Sequence, residues 1–179
     1  MSDEFRFTGS NVKLFPTTIF INKFNISLGD NSHIDDFVFF NGGIKSIVGR
    51  NVHISSFSSI IGGGELEICD FAGLSAGCRI ITGSDDFSGG SLTNLTVSKE
   101  YRNLKIGKVL IGKHAILGSN VVVMPNVTIG EGCIVSAGSI VNKNLDPWSI
   151  YAGYNPKRIS ARDKDKILEL EKRYTDSYD

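Results

Sequence analysis

Three histidines, His33, His53 and His114, and the paired carboxylates Asp85 and Asp86 are the side chains on which chemistry near neutral pH would draw. Histidine titrates in that range and suits a general base. A carboxylate with an ordinary pKa near ~4 is a weak base for a hydroxyl group unless burial raises it. Ser84, Asp85 and Asp86 also read as a turn whose side chains satisfy backbone amides. The histidines stand 20 and 61 residues apart, without the close pair a three-histidine metal centre would want. Lys157 and Arg158 are adjacent cations that fit either a phosphate group or a solvated turn. Ser84, Phe87, Asn94, Tyr101 and Arg102 are candidates for contacting a sugar, since aromatic faces and hydroxyl, amide or guanidinium groups suit one.

Positioning these groups falls to a repeat. An aliphatic residue returns every sixth position from Ile111 through Leu117, Val123, Ile129 and Val135 to Val141. Four residues after these aliphatics come compact residues, Ala115, Val121, Val127, Cys133 and Ser139. Helices prefer spacings of three and four, and plain strands alternate with period two. A period of six instead fits a solenoid whose units each form one short flat side and then turn a corner. The same register is visible at Val48, Ile54 and Ile60 and at Ile68, Leu74 and Ile80, with the glycines at 62–64 absorbing a two-residue offset. Cys78 and Cys133 fall at the inward fifth place and read as small core residues; with Cys69 they make three, with no C-x-x-C pair.

The repeat breaks over about 84–104, a polar stretch rich in Gly, Ser, Thr and Asn, and then resumes. A long excursion of this kind is a candidate functional loop. Residues 1–25 are β-prone but loosely periodic and read as irregular first coils covering the open end of the solenoid. After Val141 a turn-rich segment leads to a helix expected to start at Ser160, with Asp163 in capping-box position and Ile167, Leu170 and Tyr174 as its apolar face. The domain reading is a solenoid over 1–157 and a C-terminal helix and tail over 158–179. His53, at the end of the hexad that begins at Val48, should point outward. His114 is expected at an exposed corner, and His33 in the loosely periodic early coils.

The segment IGKHAILGSNVVVMPNVTIGEGCIVSAGSIVNKNLDPWSIYAGYNPKRI resembles the hexapeptide-repeat acyltransferases, in particular the maltose and galactoside O-acetyltransferases. Gly83 to Val97 is similar to a loop of bacterial O-antigen and capsule sugar O-acetyltransferases, with Leu95 in place of a proline. The resemblance implies an all-β left-handed parallel β-helix that assembles as a homotrimer with active sites between subunits. It also implies acetyl-CoA as co-substrate and a sugar, nucleotide-sugar or oligosaccharide acceptor, in surface polysaccharide biosynthesis. It maps the pantetheine path onto Gly118, Ser119 and Ala137, continues it to Asn142 and Lys143, and places Lys157 and Arg158 near the CoA phosphates. The sugar acetyltransferases carry a T-G-H-P histidine before the loop, where this chain has Thr82, Gly83, Ser84 and Asp85. His53, oriented by Asp85 or Asp86, is therefore the expected base for sugar O-acetylation, with Asp85 or Asp86 itself as the variant.

Sugar N-acetylation and a non-catalytic β-helix trimer are the alternatives. A γ-type carbonic anhydrase is disfavoured by the histidine spacing, and no metal requirement is expected. Nineteen basic residues balance nineteen acidic ones, which gives no reason to expect nucleic acid as partner. The N-terminal MSDEFRFTGS lacks a long apolar run, so neither a signal peptide nor a transmembrane segment is expected, and the location is read as cytoplasmic.

Overall fold

The computed structural model describes residues 4–177. Its strands form three sheets of six, eight and six strands, and every neighbour within the solenoid is parallel and one coil away in sequence. One coil shows the construction. Glu65–Ile68 lies on the first face, Gly73–Leu74 on the second and Arg79–Ile81 on the third. Side chains alternate across each strand, so Leu66 and Ile68 are buried while Glu65 and Glu67 reach outward.

The six-residue aliphatics stack on their counterparts. Ile68 pairs with Ile111, Leu74 with Leu117 and Ile80 with Val123; one coil on, Ile111 pairs with Ile129, Leu117 with Val135 and Val123 with Val141. None of these nine is more than 1% exposed. Full burial of each such side chain contributes roughly 1.5–3 kcal/mol, which is why this register outcompetes others. Cys78 and Cys133 are fully buried among them.

The corners explain the rest of the spacing. Asn11, Asn31, Asn51, Phe71, His114 and Gly132 all have φ between 55° and 64° and form the first corner of successive coils. Asparagine is the non-glycine residue that enters this left-handed region most readily. The second corner runs through Phe37, Phe57, Gly77, Asn120 and Gly138. Ser27 pairs with Ile47 and Ile47 with Glu67, steps of twenty residues, whereas Leu110 pairs with Thr128, a step of eighteen. The earlier coils take their two extra residues at the third corner, where Gly43, Gly62 and Gly63 adopt positive φ. The excursion leaves from that same corner. It is an antiparallel ribbon of Gly83–Asp85 against Leu104–Ile106, with a 3-10 turn at Lys99–Tyr101.

Two expectations about the ends are corrected. The first coil is regular: Phe7–Thr8, Lys13–Leu14 and Ile19–Ile21 pair in register with the next coil, and their aromatic and polar content had hidden the period. Residues 1–3 and 178–179 lie outside the described residues. At the other end, Lys157–Ala161 is a strand running antiparallel to Ser149–Ala152, so a boundary at 157 cuts through a hairpin that covers the edge of the second face. The helix spans Lys164–Asp176, and Asp163 is its N-cap, accepting from Lys166 N at 3.0 Å.

Candidate active site

His53 lies on the second face and is exposed, as its hexad position requires. Its in-register neighbour one coil earlier is His33. The rings of Phe15, His33 and His53 form a ladder, with centroids 5.1 and 5.2 Å apart. Asp35, two residues beyond His33 and hence on the same face, reaches both imidazoles: Oδ2 is 3.1 Å from His53 Nε2 and Oδ1 is 3.2 Å from His33 Nε2. The His53 contact has hydrogen-bond geometry, whereas His33 Nε2 lies off the line of such a bond and is buried without one. Ser55 Oγ also donates to Asp35 Oδ2, at 3.2 Å.

A carboxylate accepting from Nε2–H fixes the tautomer of neutral His53 and leaves Nδ1 as the nitrogen able to take a proton. The imidazole opens onto a groove of about 400 Å3 that runs from Asn51 and His53 across Gly73 to Ser75 and Ala76. Asp35, Ser55 and Ser75 were not singled out from sequence. The signal for Asp35 was its spacing: it stands one twenty-residue coil before Ser55 and two residues after His33.

The carboxylates of the excursion have other duties. Asp86, 7% exposed, accepts from Ser88 N at 3.0 Å, Lys105 Nζ at 3.0 Å and Asn103 Nδ2 at 3.1 Å. The Ser88 bonds above all, then Lys105, hold its carboxyl far below the usual carboxylate range. A group held so firmly ionised is a poor proton acceptor, and its bonds tie the two arms of the loop together. Asp85 Oδ2 accepts from Asn94 N at 3.3 Å, and Asn94 in turn caps Thr96 N at 2.9 Å. Among the described residues no hydrogen bond or ion pair joins His53 to Asp85 or Asp86; the imidazole's carboxylate within the chain is Asp35.

Ser84 is half-buried on the ribbon, its hydroxyl 3.3 Å from Asp85 O, while Phe87 is 79% and Tyr101 59% exposed. Tyr101 and Arg102 line a second cavity, of about 530 Å3, with Gly89, Gly90 and Ser91. The Arg102 Nε and Ser91 Oγ atoms are buried there without partners.

Of the residues mapped to a pantetheine path, Gly118, Ser119 and Ala137 lie at the second corner, whereas Asn142 and Lys143 follow the strand Ile140–Val141 at the far end of the third face. Gly118 is required by packing: a Cβ there would lie 2.5 Å from Ala137 N on the next coil. Gly138 N donates to Ser119 O at 2.9 Å, and Ala137, Asn142 and Lys143 are exposed. Lys157 and Arg158 occupy a strand instead of a turn, so successive side chains leave opposite faces, and Arg158 Nε donates to Ser149 Oγ at 2.9 Å.

His114 is also corrected. It is 7% exposed, stacks on Phe71 at 5.1 Å and meets Glu171 Oε2 of the C-terminal helix at 2.9 Å. Among the described residues there is no group of three or more metal-ligating side chains, and no helix is long and apolar enough to cross a membrane.

The sequence pattern of the bacterial transferase hexapeptide family (six repeats) matches residues 108–143. The chain is 39% identical to a dTDP-4-amino-4,6-dideoxy-D-glucose acyltransferase of Escherichia coli over 93% of its own length and 87% of that protein's. The structure of AntD, an N-acyltransferase from Bacillus cereus in complex with dTDP and 3-hydroxybutyryl-CoA, superposes with a TM-score of 0.91 at 39% identity, covering 97% of this chain and 92% of that one. A maltose O-acetyltransferase from Clostridium difficile 630 shares the fold, with a TM-score of 0.62 at 18% identity over 89% of this chain and 71% of that one. A buried six-residue ladder, an interrupted coil at its third corner and near-full-length kinship to acyltransferases together place the chain in the hexapeptide-repeat acyltransferase family.

Proposed function

We propose that this chain transfers an acyl group from acyl-CoA to the amine of a nucleotide-linked amino sugar. The observation that carries the reading is the near-full-length likeness, at 38–39% identity, to acyltransferases whose acceptor is a dTDP-amino sugar or whose product is an amide. The sugar O-acetyltransferases share the fold at only 18–22% identity.

The residues favour the same choice over O-acetylation. A hydroxyl must lose its proton as it attacks, so an O-transferase needs a well-placed base, and the place before the loop holds Ser84 and Asp85 where a histidine would stand. A neutral amine attacks the thioester carbonyl with its own lone pair and sheds a proton afterwards, once the nitrogen is acidified. The C–N bond forms, the C–S bond breaks, and the departing thiolate or a nearby imidazole takes the proton. His53, held by Asp35, is our candidate for that imidazole, and the groove from His53 to Ser75 is our candidate seat for the reacting amine. A homotrimer belongs to this reading, because flat solenoid faces make deep clefts only by pairing. The exposed Ile19, Ile21, Phe39 and Ile61 on the third face support it.

The test measures CoA release from acetyl-CoA and 3-hydroxybutyryl-CoA with dTDP-4-amino-4,6-dideoxyglucose, against dTDP-glucose as hydroxyl acceptor. Turnover with the amine and not the hydroxyl is expected. Turnover confined to the hydroxyl overturns the amine and restores O-acetylation.

A further inference from the structure

Phe37 and Phe57 occupy successive copies of the second corner, each at φ 62°. Gly77, Asn120 and Gly138 hold that corner in later coils. A bulky residue is disfavoured in this region and persists where surrounding structure holds it, often for function. The two rings stack, with centroids 5.1 Å apart and planes 9° from parallel. They nonetheless remain 57% and 60% exposed. Because Phe37 covers one face of Phe57, that exposure leaves the opposite face open.

The next coil keeps it open. Its corner residue is Gly77, which has no side chain to continue the ladder. The Asn120 carboxamide folds back over that glycine, its Oδ1 2.2 Å from where a Cβ would lie, and so sets an amide at the inner edge of the gap. Coils lie about 4.8 Å apart, within the ~4.5–7 Å range of stacked ring centroids. A flat ring at the level of Gly77 therefore extends the Phe37–Phe57 stack. Beside it, Arg79 Nη1 donates to Phe57 O at 2.5 Å and Gly77 O at 3.0 Å, fixing a cation at the same corner. On the other side, the groove holding His53 reaches the corner through Ser55, Ser75 and Ala76. His53 and Phe57 stand at opposite ends of the second face, the strand His53–Ile54 giving way to the corner turn at Ser56 and Phe57, so the base end and the reacting end of one ligand can both be met along this groove.

We propose that the open face of Phe57 seats the planar base of the nucleotide-linked acceptor, with Arg79 flanking the ring on the third-face side of the corner. This rests on the nucleotide-sugar reading above. Base stacking on an aromatic side chain tolerates many bases and is lost on truncation.

The experiment compares dTDP binding by calorimetry, and KM for the dTDP-linked amino sugar, among wild type, Phe57→Ala and Phe57→Tyr, with oligomeric state followed by light scattering. In Phe57→Ala, dTDP binding and KM should each weaken about tenfold or more, and Phe57→Tyr should retain both within about twofold. The assembly should stay unchanged in both. If wild type acylates the nucleotide sugar and Phe57→Ala does so with unchanged KM, the stacking seat falls and the functional reading stands. If Phe57→Ala loses binding only together with assembly, the corner is a subunit contact and the seat falls. If wild type neither binds dTDP nor acylates the nucleotide sugar, both readings fall.

Discussion

His53 Nε2 lies 3.1 Å from Asp35 Oδ2, a contact made between neighbouring coils. The two residues are brought together by the twenty-residue step that sets His33 beneath His53. Their geometry resembles the base-orienting pair of hydrolases in one respect only: a carboxylate holds one ring nitrogen so that the other is presented.

Asp35→Asn keeps the size of the side chain and removes its charge. In the proposed mechanism His53 then becomes a weaker proton acceptor, so kcat should fall about tenfold or more, while KM for acyl-CoA stays unchanged. Steady-state kinetics with the amino sugar decide the point. Wild-type kcat in both Asp35→Asn and His53→Ala would remove the pair from the chemistry and leave the departing thiolate as the proton acceptor.

Asp86 is expected to act through loop order instead of proton transfer. Its carboxyl is depressed in the fold chiefly by the Ser88 bonds, then by Lys105, so its contribution to stability is present above the ordinary aspartate range. That contribution disappears only as pH falls through the depressed value. Near neutral pH, Asp86→Asn should make residues 87–103 more sensitive to limited proteolysis and raise KM for the acceptor, with little change in the pH profile of kcat. A profile that loses an acidic limb in this variant would instead make Asp86 the base.

Much of the solenoid was legible because its signal is additive: each hexad aliphatic is buried against another, and the pattern repeats at Ile111, Leu117 and Val123 without exception. The first coil escaped notice because its inward positions are Thr8, Leu14 and Phe20, one of them polar, and at this end of the solenoid none of the three is fully buried. The His53–Asp35 pair was half legible. The outward direction of His53 follows from its place in the hexad, but its partner depends on coil length, and a twenty-residue coil differs from an eighteen-residue one only at the glycine-rich third corner. His114 read as exposed because nothing near it in sequence discloses a helix arriving from Lys164–Asp176.

The cysteines offer a direct probe of the packed interior. Burial pushes the Cys78 thiol up to about 11 and the Cys133 thiol up to about 12, and thiolates are the reactive form. Native protein at pH 8 should therefore show negligible alkylation of Cys78 and Cys133 by iodoacetamide, with all three cysteines modified after denaturation. Mass spectrometry of the peptides checks this. Rapid labelling of Cys133 in native protein would contradict a core closed at that coil.

The C-terminal helix should undock in acid. Glu171 is the contact that decides it: burial pushes its carboxyl up, but hydrogen bonds from Lys113 and His114 outweigh burial and leave it below the usual range. Lys113 Nζ lies 2.5 Å from Glu171 Oε1 and His114 Nε2 2.9 Å from Oε2. A depressed carboxyl stabilises the fold above its unfolded pKa, near ~4.3, and the gain is lost as pH falls through the folded value. Trp148, the chain's one tryptophan, sits 6.3 Å from the His114 ring and under Lys164 at 5.8 Å, so its fluorescence reports the docked helix. In wild type the docked signal should persist through pH 5 and change below about pH 4. Glu171→Ala should show the undocked signal already at pH 7 and lower stability by about 1–3 kcal/mol, because His114 is left buried without its acceptor. A variant with the wild-type signal and stability would show that Phe71 and Tyr174, packed edge to face at 5.8 Å, hold the helix without Glu171.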